Sequence, residues 1–156
     1  VTRATSTDRP DAAGKQETTL AQRRRARCVC GTLSVIAVGE PEAVYLCGCD
    51  ACRRGGGAPF AWRARYPKAA VEVFGTARMF RRYGDAGRWI DQAFCETCGA
   101  GVYQAAEALP DHFVIAAGCF ETHDDLPPSR LFRGEKLISW CTIDFGVAAA
   151  TPTPSG

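Results

Sequence analysis

The chain has 156 residues, nine of them cysteine, and a formal net charge of +2. That length suffices for one domain with a real hydrophobic core, and no apolar run approaches the ~20 residues of a membrane span. The charge is uneven: residues 1–27 carry seven Lys or Arg against three Asp or Glu, and the rest carries twelve against fourteen. The folded part therefore lacks the basic excess of a nucleic-acid-binding domain.

Residues 1–26 are polar and aperiodic and read as a flexible, solvated basic tail, with no apolar segment of the secretory-signal kind. The expected compartment is the cytoplasm, where thiols stay reduced and cysteine patterns read as metal-binding or catalytic before they read as disulfides. From about Arg27 to Phe145 the dominant period is two. "CVCG" opens the first strand, and in "TLSVIAV" Leu33, Val35 and Ala37 alternate with Thr32, Ser34 and Ile36. A short helical turn is expected after Cys49. In "FAWRARY", Phe60, Trp62, Ala64 and Tyr66 face one way while Arg63 and Arg65 face the other. "VEVF", "WIDQAF", "HFVIAA" and "ISWCTIDF" read as further strands, with a second helical turn near "AAEAL". Residues 146–156 read as another flexible tail. The expectation is a mainly β single domain over 27–145 with short helical turns.

The cysteines fall into groups. Cys28 and Cys30, two apart on one strand, project to the same side. Cys95 and Cys98 form a C-x-x-C knuckle whose turn brings two sulfurs together, with Gly99 freeing the backbone after it. Together they supply the four thiolates of a closed tetrahedral zinc site. Cys47, Cys49 and Cys52 put three thiols into six residues. All seven cysteines sharing some other pairing is one reading, and a fourth ligand from His112, His123, Cys119 or Cys141 is another. Cys119 and Cys141 stand in apolar, strand-like contexts that suit core thiols, and each His stands in a polar, loop-like one. No fourth ligand lies at motif spacing, and three protein ligands with an open position is the catalytic zinc arrangement.

The series "CVCG … CGCDACRRGGGAPF … FCETCGAGVY", spread over residues 27–142, resembles the glutathione-dependent formaldehyde-activating enzyme family, which shares its domain with centromere protein V. The resemblance implies a zinc-stapled β-tent-like fold. Cys28, Cys30, Cys95 and Cys98 match its structural zinc site, and Cys47, Cys49 and Cys52 match the ligands of its catalytic zinc. Two zinc ions per chain are thus expected, the second one open to a thiol substrate. Similar members carry His between the first two cysteines of the cluster and Ser before G-A-P-F; here these positions are Gly48 and Gly56.

The implied activity is that of a carbon–sulfur lyase-type enzyme, joining a low-molecular-weight thiol such as glutathione to formaldehyde or another small aldehyde. The alternative is a non-enzymatic zinc module serving interaction, as in the centromere branch. Three thiolates leave a zinc site at net −1, and Arg53 and Arg54 are placed to offset that charge and clamp substrate carboxylates, unless they pair with Asp50 or Glu96. Gly55 and Gly56 allow close backbone approach by a peptide-like ligand, or form a plain turn. The excess of Arg over Lys, sixteen to three, and the absence of Asn suggest a GC-rich genome, which brings mycothiol in as a competing thiol.

Overall fold

The structure is a computed structural model, and it describes residues 22–145. Among the described residues ten strands form two sheets. β1 (Arg23–Arg27), β2 (Ser34–Val38) and β5 (Val71–Phe74) make an antiparallel three-stranded sheet in the order β1-β2-β5. The second sheet has seven strands in the order β10-β3-β4-β9-β8-β7-β6. Its members are β3 (Ala43–Cys47), β4 (Ala61–Pro67), β6 (Ala77–Tyr83), β7 (Trp89–Cys95), β8 (Gly101–Ala106), β9 (Leu109–Ala116) and β10 (Leu131–Phe132). Only β10, beside β3, runs parallel to its neighbour. The one α-helix among the described residues, α1 (Asp50–Gly56), fills the connection between β3 and β4, and three single-turn 3₁₀ helices lie elsewhere.

The core lies where the two sheets face each other. Leu33, Val35 and Ala37, the apolar set of "TLSVIAV", are wholly buried, and so are Ala64 and Tyr66 from β4 with Val102 and Ile115 behind them. The opposite-facing Arg63 and Arg65 turn away from this core, as the alternation requires. The protein is mainly β. Among the described residues no helix is long and apolar enough to cross a membrane.

Four expectations are corrected. The run at 23–27 is strand, not tail: Ala26 is buried, and Arg24 is only 2 % exposed because Glu40 and Asp125 accept its guanidinium hydrogen bonds at 2.9 and 2.7 Å. Charge alone marked this run as solvated; buried pairing cancels that signal. The remainder of the expected tail, and the 146–156 tail, lie outside the described residues. Cys28 and Cys30 sit in the turn between β1 and β2 rather than on a strand. "AAEAL" is the tight end of the β8–β9 hairpin, not a helical turn. "ISWCTIDF" forms no strand: Trp140 is largely exposed and the segment finds no partner ladder. The strands β3, β6, β8 and β10 were not anticipated; β6 is an edge strand whose side chains are mostly exposed, so it carries no apolar alternation.

Candidate metal centres

The first cysteine cluster staples the two sheets. Cys28 and Cys30 come from the β1–β2 turn, which closes through Cys28 N–H to Leu33 O at 2.9 Å and Gly31 N–H to Cys28 O at 3.1 Å. Cys95 ends β7, and Cys98 follows in a turn that Gly99, at φ 74°, allows to close on the Cys95 carbonyl. The four sulfurs all lie within 4.8 Å of one another. Cys30 Sγ is 3.5 Å from Cys28 Sγ and 3.6 Å from Cys95 Sγ. A tetrahedron of sulfurs ~2.3 Å from a central zinc has edges of ~3.8 Å, so the donor set and its spacing fit such an ion. Thr32 Oγ1 lies 3.1 Å from both Cys30 Sγ and Cys95 Sγ. Its hydroxyl, with the Cys98 backbone N–H, brings the Cys95 thiol down to about 5, against the effect of burial. Cys28 and Cys95 are buried, but Cys30 and Cys98 are exposed.

The second cluster is built around the N-terminus of α1. Cys47 is the last residue of β3, and Cys49 caps α1 by accepting the Cys52 N–H at 3.4 Å. Cys52, buried in the first turn, completes a set whose sulfurs also lie within 4.8 Å of one another. The Cys47–Cys52 pair shares protons unequally. The hydrogen bond from Cys47, with the Arg63 guanidinium, holds Cys52 at about 5 against burial, while the same hydrogen bond and burial push Cys47 up. Among the described residues no other His, Cys, Asp or Glu joins either cluster. His112 lies on β9, not in a loop, with Nε2 2.8 Å from a Glu42 carboxylate oxygen. His123 packs edge-on against Trp62. Cys119 packs against the core with its thiol toward the Gly101 carbonyl, and Cys141 is half-buried outside any strand.

All three thiols of the second cluster open on a cavity of about 600 Å³. Its walls carry seven cationic side chains, including Arg54, Arg63, Arg65, Arg82 and Arg130, against the carboxylates of Glu42, Asp50 and Asp85. Arg54 faces this space; Arg53 does not line it, and its guanidinium is held by Asp50 at 2.6 Å within α1. Gly55 and Gly56 form the last turn of α1 and do not line the cavity either. Tyr45, edge-on to Phe132 at 5.0 Å, is pushed up to about 12 by burial.

A family model described as glutathione-dependent formaldehyde-activating enzyme matches residues 23–135. The chain belongs to the glutathione-dependent formaldehyde-activating enzyme family. No curated protein sequence matches it closely enough to count as a relative. Among solved structures, a Rhodobacter sphaeroides protein is 22 % identical, with 62 % of this chain and 87 % of that chain covered and a TM-score of 0.47.

For a member of this family, the cavity residues are what the sequence left unread. Arg63 and Arg65 were placed opposite the core, but nothing in the sequence tied them to the cysteines. Arg82, Arg130, Arg133 and Lys136 reach the cavity from β6 and from the 130–137 segment through folding alone. Gly48 also acquires a reason. A Cβ there would stand 2.9 Å from the Arg133 carbonyl oxygen and 3.0 Å from Leu137 Cδ2, because the 131–137 segment occupies that space.

Proposed function

We propose that the protein is a zinc-dependent enzyme joining a low-molecular-weight thiol to formaldehyde or another small aldehyde. The observation that carries this is the second cluster: three cysteines whose sulfurs lie within 4.8 Å of one another and which line a cavity rich in cations. Zinc held by Cys47, Cys49 and Cys52 would accept the substrate sulfur and keep it ionised near neutral pH. Cys28, Cys30, Cys95 and Cys98 would hold a second, structural zinc.

In the reaction, the thiolate sulfur forms a bond to the aldehyde carbon. The C=O π pair moves onto oxygen, which takes a proton, so that RS⁻, CH₂O and H⁺ become RSCH₂OH. The reverse breaks the carbon–sulfur bond, which is the carbon–sulfur lyase class. The residues of this chain supply positioning and charge. Arg54 on α1, with the other cations of the wall, offsets the negative charge that a fourth sulfur adds and draws an anionic thiol inward.

The test is metal analysis with cobalt substitution. Two metal ions per chain are expected, and a thiol entering the inner sphere should intensify the sulfur-to-cobalt charge-transfer band. An S-methylated analogue should not. One metal ion per chain, or a cobalt spectrum indifferent to every thiol, would instead favour the interaction-module reading of the same fold.

A further inference from the structure

The two cysteine clusters differ in what reaches their sulfurs. In the four-cysteine cluster Thr32 Oγ1 stands 3.1 Å from Cys30 Sγ and 3.1 Å from Cys95 Sγ, and the Leu33 N–H donates to Cys28 Sγ at 3.3 Å. Cys30 and Cys95 are 65 residues apart in the chain, so one hydroxyl touches both halves of the clamp. In the three-cysteine cluster, among the described residues, the sulfurs meet backbone N–H groups but no hydroxyl: Cys52 donates to Cys49 at 3.4 Å, and Cys49 to Cys47. The turn fixes where Thr32 stands. Gly31, at φ 83°, precedes it, and Gly75 leaves room for its carbonyl oxygen, which a Cβ would meet at 1.9 Å. Thr32 is itself exposed, so core packing does not account for a threonine here.

We propose that Thr32 is a positioning residue of the four-cysteine metal site: its hydroxyl donates to the Cys30 and Cys95 thiolates, holds them in place and lowers their reactivity toward electrophiles. The inference goes beyond the thiol–aldehyde reaction and rests on the structural zinc proposed with it. Four thiolates more than neutralise one divalent ion, so the sulfurs keep negative charge and remain nucleophiles. An O–H donor to an ionised sulfur makes a charge-assisted bond, and groups bonded to the ligands tune how firmly the ligands hold a metal. Under the proposed function the chain presents two sets of thiolates to an aldehyde, and only the set at the cavity should react. Burial does not protect the other set, because Cys30 and Cys98 are exposed. The Thr32 hydroxyl supplies protection where burial is missing.

The experiment treats the zinc-loaded full-length protein with less than one equivalent of iodoacetamide and maps alkylation by peptide mass spectrometry. In that probe reaction a thiolate sulfur bonds to the CH₂ carbon, iodide leaves, and the sulfur becomes a neutral thioether. Cys30 and Cys98 are both exposed, but the Thr32 hydroxyl reaches only Cys30 of the two, so Cys98 should be alkylated several-fold faster at early times. Thr32→Val, similar in shape but without the O–H, should close that gap and speed metal release from the four-cysteine cluster to a chelator by roughly tenfold. Thr32→Ser, which keeps the hydroxyl, should behave as wild type. If Thr32→Val does not hold metal, the Cys98-to-Cys30 ratio of the wild type and the rates of Thr32→Ser carry the test. Equal alkylation of Cys30 and Cys98 in the wild type, or a Thr32→Val that matches it, overturns the role of Thr32 while leaving the metal site intact. A Thr32→Ser that fails as Thr32→Val does assigns the effect to the methyl group and overturns the role as well. A four-cysteine cluster that carries no metal removes the structural-zinc reading and this inference together.

Discussion

At the scale of single residues, chemically identical thiols differ by where they stand. Cys95 is wholly buried between the sheets, with Thr32 beside it, whereas Cys49 caps a short helix at a cavity wall. A structural zinc contributes on the order of 10–16 kcal/mol in small modules, so Cys95→Ser should abolish cooperative folding. Cys49→Ser should leave the fold intact and remove one metal ion, checked by circular dichroism and metal content. Arg54→Ala should weaken an anionic thiol by roughly tenfold in the cobalt titration, and Arg53→Ala, whose partner is Asp50, should not. Asp125 gives a pH signature. Hydrogen bonding from Arg24 holds its carboxyl below the usual carboxylate range. A depressed carboxylate contributes stability that is complete above its unfolded value of ~3.9 and is lost as pH falls through the folded value. Asp125→Asn should therefore lower the urea midpoint at pH 7, and its gap from wild type should narrow once the pH drops below that range.

At the scale of elements, two glycines show how loops position the metal sites. Gly75, between β5 and β6, has φ +87°, and a Cβ there would stand 1.9 Å from the carbonyl oxygen of Thr32. Thr32 belongs to the turn that carries Cys28 and Cys30. Gly75→Ala adds left-handed strain to a backbone collision and should cost roughly 3 kcal/mol or more, with loss of metal from the four-cysteine site first. Gly48 meets the Arg133 carbonyl instead, and Arg133 is the one non-glycine at positive φ among the described residues, its guanidinium tied to Asp85 at 2.6 Å. Gly48→Ala should cost about 1–3 kcal/mol and lift the 131–137 segment. Faster tryptic cleavage after Arg133 and Lys136, at unchanged metal content of the four-cysteine cluster, is the expected readout.

At the scale of the whole molecule, the two cysteine clusters stand at mechanically different places. The four-cysteine cluster joins the β1–β2 turn to the β7–β8 connection and so clamps one sheet on the other. The three-cysteine cluster belongs to the β3–α1 segment alone. A chelator titration should therefore release metal in two stages. The first stage should leave thermal stability nearly unchanged, because only the open site empties. The second should bring unfolding. Exposure of Cys30 and Cys98 means that this order comes from the number of protein ligands and from the clamp, not from burial of the closed site. A single-stage release coincident with unfolding would contradict it.

The sequence by itself marked the three local groups Cys28/Cys30, Cys47/Cys49/Cys52 and Cys95/Cys98, because a C-x-C or C-x-x-C turn brings its own sulfurs together; the folded chain joins the first and last of them into one cluster of four. It also determined the strands "TLSVIAV" and "FAWRARY", whose alternating burial is written in adjacent residues. Tertiary structure alone decided what surrounds the sulfurs. β1 was hidden because a buried arginine looks like a solvated one until Glu40 and Asp125, from distant segments, are seen to face it. β6 was hidden because an exposed edge strand has no apolar stripe to read. The cavity was hidden for the same reason at larger range: Arg63, Arg82, Gln104 and Arg133 come from four separate parts of the chain. Long-range convergence depends on strand order and sheet curvature, which no short window of sequence encodes. Thus the cysteines that could hold metal were legible, and the side chains that line the cavity beside them became so only once the sheets had closed.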